Sequence, residues 1–117
     1  GSFLATKSAA AARKVLLELA HSPLLWERRI AMVATFYWIK QGQPDHTLLI
    51  AKALLTDKHD LIQKAVGWML REVGKRCRKT RLEEFLEKYS QQMGRTALRY
   101  AIEHFSKDVR NEYLGRR

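Results

Sequence analysis

The sequence predicts an all-α protein, an α-solenoid of antiparallel helical hairpins with about six to seven helices. Three observations predict it. Apolar residues recur at helical spacing from end to end. Two prolines and six glycines are the only strong breakers, which favours long helices over many short strands. The segments "RRIAM", "KAVGW" and "RYAIE" recur at a period of about 35 residues, putting Arg28, Lys64 and Arg99 at equivalent points of a two-helix unit.

Each element follows from local chemistry. "KSAAAARKVLLELA" (7–20) is rich in strong helix formers. "HSPLLWERR" restarts the chain, with Ser22 as N-cap and Pro23 at the first helical position. The second helix then runs to about Lys40 and ends at Gly42. Pro44-Asp45 opens a third helix, to about Leu55. Asp57 is the expected cap of a fourth, with Asp60 in its first turn and Gly74 near its end. "TRLE" (80–83) has the capping-box pattern for a fifth. Gly94 precedes a sixth over 95–105, and "SKDVRNEYL" (106–114) adds a short seventh. Short connections make neighbouring helices antiparallel.

Length fits one domain, 1–117, and 46% hydrophobic residues can build a core. Lys and Arg outnumber Asp and Glu by 22 to 12, a formal charge of +10. That excess attracts polyanions: DNA, RNA or an anionic membrane surface. No run of about 18 apolar residues exists to span a bilayer. Cys77 is the single cysteine, so no internal disulfide forms and a reducing compartment is expected. The histidines at 21, 46, 59 and 104 lack metal-ligand spacing. No Ser-His-Asp set, glycine-rich phosphate loop or cysteine pair is present. The expectation is therefore no metal and no cofactor.

The stretch "KAVGWMLREVGKR" (64–76) is the most informative. On a helical wheel Leu61, Ile62, Ala65, Val66, Met69 and Val73 fill a core sector of roughly 140°. Trp68 lies just beyond its edge. Lys64, Arg71 and Lys75 lie beside it, all four within about 60°. Two readings stand together. One is an indole bordering a phosphate-binding stripe. The other is an edge-of-core tryptophan among snorkelling cations. Gly67 costs about 1 kcal/mol relative to alanine in mid-helix. It suits a close approach, by a neighbouring helix more readily than by DNA.

Arg28 and Arg29 stand in the second turn of a helix, near its N-terminus, where the dipole disfavours cations. Each invites an anion, either Glu27 or a phosphate that matches the guanidinium fork. The cation run "REVGKRCRKTR" (71–81) is either a solvated face or a rim that tracks phosphates. Trp38 and Tyr37 are expected in the core, with Trp26 packing on the preceding hairpin.

"LLWERRIAMVATFYWI", "DKHDLIQKAVGWMLREVGKR" and "RTALRYAIEHF" resemble the C-terminal half of the AlkD-type DNA alkylation repair family. The resemblance covers nearly the whole chain and implies HEAT-like helical repeats. It implies a DNA glycosylase that excises cationic alkylpurines, such as N3-methyladenine and N7-methylguanine, from double-stranded DNA. The family's active-site arginine falls on Arg29 and one of its two tryptophans on Trp68. Lys64, Arg71, Lys75 and Arg99 would join the basic concave surface. The family's catalytic aspartate and other tryptophan fall upstream of "FLATKS", where no residue of this chain can be assigned. The resemblance thus implies a C-terminal fragment with little activity of its own, prone to self-association through its N-terminal end. It implies residence in the bacterial cytoplasm, at the nucleoid. A non-catalytic nucleic-acid-binding module and a scaffold for an acidic protein are the competing readings.

Overall fold

A computed structural model describes the backbone of residues 2–115 and the side chains of residues 9–115. The described chain is all-α. Helix α1 spans Ser2–Ala20, α2 Leu25–Ala34, α3 Phe36–Ile39 and α4 Asp45–Ala53. Then come α5 Asp60–Arg76, α6 Lys79–Tyr89, a 3-10 turn Ser90–Gln92, α7 Arg95–Ala101 and α8 Lys107–Leu114. Counting the interrupted α2–α3 run as one helix leaves seven, as expected. The molecule measures 45 × 32 × 19 Å.

Helix α5 is the spine. It touches α2, α3, α4, α6 and α7. Its Ile62, Ala65, Val66, Met69, Leu70 and Val73 are buried, and they meet Met32, Ile39, Ile50, Leu86 and Leu98 in one core. Helices consecutive in sequence also pack together: α1 on α2, α4 on α5, α5 on α6, α7 on α8. That is the behaviour of stacked helical hairpins.

Gly67 explains itself here. A Cβ at that position would come within 2.5 Å of the Tyr100 Cβ and 2.6 Å of the Ala97 carbonyl. The glycine exists so that α7 can press against α5. The intruding neighbour is a helix. Gly42 carries the one positive φ among the described residues, +78°, and closes α3 as its position in the sequence suggests.

Several expectations about helix ends require correction. Ser22 is not an N-cap. Its hydroxyl accepts from the Leu24 N–H and donates to Glu27, so α2 starts at Leu25 behind an uncapped Leu24. The second helix is broken at Thr35, whose hydroxyl donates to the Met32 carbonyl at 2.7 Å; both the Thr35 and Trp38 N–H groups shift to i−3 partners. The cap of α5 is His59, whose ring accepts from the Leu61 N–H. Asp57 is displaced from that role because its carboxylate is taken by Arg28 and the His59 N–H. The "TRLE" box is unused, since α6 begins at Lys79 without a side-chain cap.

Three burial expectations also fail. Leu61 is 46% exposed, because the partners of α5 cover the sector from Ile62 onward and stop short of it. Tyr37 is 61% exposed, while its neighbour Trp38 packs on the core and stacks on His46 at 4.1 Å. Trp26 is likewise open, at 60%.

Candidate nucleic-acid interface

A cleft of about 300 Å³ opens between α2, α5 and α7. Arg29 enters it from α2, Tyr100 from α7, and Leu61, Lys64, Ala65, Trp68 and Arg71 from α5. Four of the residues singled out in the sequence therefore meet at one place: Arg29, Lys64, Trp68 and Arg71. Arg29 is far from the others in sequence, and only the packing of α2 on α5 brings it there.

Trp68 is half-buried. Its ring stacks toward Phe36 with centroids 6.4 Å apart and planes at 29°, and it also lines the cleft. Phe36 is held in turn by the Arg76 guanidinium, 5.3 Å from its centroid, and Arg76 pairs with the buried Glu72 at 2.9 Å. The indole thus has a fixed support on the protein side and an open aspect toward the cleft.

The cations differ in their freedom. Arg29 makes no ion pair or hydrogen bond with the described residues and is exposed. Arg28 is the opposite case. Its Nε lies 2.8 Å from Asp57, and its Nη1 donates to the Ser22 and Pro23 carbonyls. The partner is thus neither Glu27 nor phosphate: Arg28 is a structural tie. Lys64 pairs with Asp60 at 3.1 Å one turn back, and that hydrogen bond pushes its pKa above the ordinary lysine value. It stays a cation at any physiological pH. Arg71 donates to Glu103. Among the described residues no carboxylate lines the cleft, and the two at its rim, Asp60 and Glu103, are both engaged with cations.

Two sequence-selected residues lie elsewhere. Lys75 sits beside a neighbouring hollow, which it shares with Arg71. Arg99 faces away from the Trp68 cleft, toward Ile102, Glu103, Arg110 and Leu114. The sequence pattern missed Tyr100 and Leu61 as cleft residues. Tyr100 is adjacent to Arg99, but a seven-residue helix carries too little periodicity to say which of the two faces α5.

The cleft brings together a supported indole and cations from separate helices, and the chain's sequence matches the family model described as "DNA alkylation repair enzyme" over residues 1–105. The chain belongs to the DNA alkylation repair enzyme family. The match takes in α1 to α7, and so every residue of the cleft. No curated protein and no solved structure shows a match to the chain. Membership carries a role in DNA alkylation repair. For this repair-family chain, no described helix is long and apolar enough to cross a membrane. No group of three or more His, Cys, Asp or Glu stands together among the described residues as a metal site.

Proposed function

We propose that this chain forms the DNA-holding part of a glycosylase that removes cationic N3- or N7-alkylpurines from duplex DNA. The observation that carries the proposal is the meeting of the unpaired Arg29 with the supported Trp68 in one cleft. Arg29 takes a backbone phosphate near the lesion and sets register, since guanidinium forks match phosphate oxygens. Lys64, Arg71 and Lys75 add phosphate attraction along the face, and Arg99, which faces away from the cleft, does not.

The chemistry suits such a cleft. An alkylated purine carries positive charge and departs neutral when its glycosidic bond breaks. Leaving-group protonation is then less important than stabilising the oxocarbenium-like sugar. The Trp68 face contributes by cation–π attraction, of about 0.5–2 kcal/mol. A carboxylate would contribute more, and none lines the cleft among the described residues. Activity therefore needs a carboxylate supplied from outside these residues. The cleft is also shallow and ringed by cations, which fits chemistry on a base left in the duplex rather than extruded into a deep pocket.

The test measures base release from N7-methylguanine duplexes alongside binding. The chain is expected to bind duplex DNA weakly, with a steep salt dependence, and to release little or no base. Arg29→Gln should lower affinity, and Trp68→Ala should weaken binding to alkylated duplexes more than to plain ones. Release of N7-methylguanine at the rate of a full glycosylase would overturn the missing-carboxylate argument. Binding with no salt dependence would overturn the DNA reading altogether. The lack of a cleft carboxylate favours one second reading, a non-catalytic DNA-binding module. It predicts equal affinity for plain and alkylated duplexes.

A further inference from the structure

Beside the Trp68 cleft lies a second hollow of about 330 Å³, at the far end of α5. Arg71 lines both, so the two are neighbours on one face. Lys75, Lys79 and His104 stand around it, and Leu82, Ala101 and Phe105 contribute its apolar lining. None of Lys75, Lys79 and His104 makes an ion pair with the described residues, and no carboxylate lines the hollow among them. The Lys79 ammonium lies 4.8 Å from the Phe105 ring centroid, which holds it at the hollow instead of free in solvent. Cations around an apolar lining suit a phosphodiester with its sugar.

We propose that this hollow is a second backbone subsite of the DNA face, taking a phosphate on Lys75, Lys79 and His104 and a deoxyribose against Leu82 and Phe105. The inference rests on the reading of the Trp68 cleft as the lesion site. Seven residues of α5 separate Trp68 from Lys75, a rise of about 10 Å. A B-form duplex whose axis runs along α5 advances about three base pairs over that distance. The subsite therefore engages the backbone about three nucleotides to one side of the lesion. Arg71, pinned by Glu103, stands between the two positions and faces both.

The experiment is fluorescence anisotropy with a labelled duplex carrying one central N7-methylguanine, titrated across potassium chloride concentrations. It compares the wild-type chain, Arg29→Gln, and the double variant Lys79→Gln/His104→Gln. These side chains are exposed, and thermal melting of each variant checks that the fold is kept. The double variant should bind about threefold more weakly at low salt, with the log–log salt slope reduced by about 0.9 for the lost lysine charge. Shortening the duplex on one side, to two base pairs from the lesion, should abolish its difference from wild type. The same shortening should leave the Arg29→Gln defect in place. If the double variant matches wild type on the long duplex while Arg29→Gln is impaired, the second subsite is overturned and the cleft reading stands. A wild-type chain with no salt-dependent DNA binding overturns both.

Discussion

Arg28 reaches Asp57 across the junction of α2 with the α4–α5 connection, its Nε 2.8 Å from the carboxylate. Both side chains are largely buried, at 19% and 15% exposure, and two backbone carbonyls share the guanidinium. Arg29, one residue on, has no such partner among the described residues and lines the cleft. The two arginines should therefore separate cleanly in the laboratory. Arg28→Ala should cost about 2 kcal/mol in urea unfolding, because it strands a carboxylate that is mostly out of water. Arg29→Ala should change stability by less than about 0.5 kcal/mol and act on DNA affinity alone. Cys77 belongs to the same scale. Burial pushes its thiol pKa up, and its Sγ lies 3.7 Å from the Ile39 carbonyl, so it is a packed thiol and not a nucleophile.

Helix α5 decides where every cleft residue stands, and among the described helices its contact with α7 is the most extensive. Gly67→Ala would drive a methyl into the Ala97 carbonyl and the Tyr100 Cβ. Neither can swing away as a long side-chain tip would, so α7 must shift. The expected loss is about 1–3 kcal/mol despite alanine's better helix propensity, read from a urea titration. DNA affinity should fall with it, since Tyr100 moves with α7. A second element-level expectation concerns α4. His46 is buried and stacked on Trp38, and burial lowers its pKa from 6.5, with repulsion from Arg13 second. The Ala9 backbone and the Asp45 carboxylate oppose that shift. The unfolded chain takes up a proton near pH 6.5 while the folded chain does not. Stability is thus fully present above 6.5 and declines as pH falls toward the lowered folded value. The wild type should lose more stability between about pH 7 and pH 5.5 than His46→Gln does, measured as the shift in urea midpoint.

At the scale of the whole molecule, +10 of net charge is spread over a body 45 × 32 × 19 Å across. The side chains of residues 1–8, where the N-terminal self-association surface was expected, lie outside the described residues. Among the described residues, α2 and α3 expose the apolar side chains Trp26, Ile30 and Tyr37. Such a face is unusual on a monomer. If copies of the chain pair through it, the mass from light scattering should rise with concentration, and Trp26→Ser should return it to the monomer value. A monomeric mass at high concentration counts against pairing.

The sequence by itself determined the helical class, the number of helices and the family. All of these rest on periodicity, composition or short motifs, which are local properties of a chain. Asp57 does not cap α5 because Arg28, a partner that only folding supplies, takes its carboxylate; the Ser22 hydroxyl turns to Glu27 instead, and α6 begins at Lys79 without a side-chain cap. The same holds for Arg28 and Arg29, which no local rule distinguishes. Tertiary packing alone set one against Asp57 and the other beside Trp68, because α2 crosses α5 in one register and buries only one side of that turn. It also decided that Tyr100, and not Arg99, faces the cleft, since the close approach at Gly67 fixes the rotation of α7.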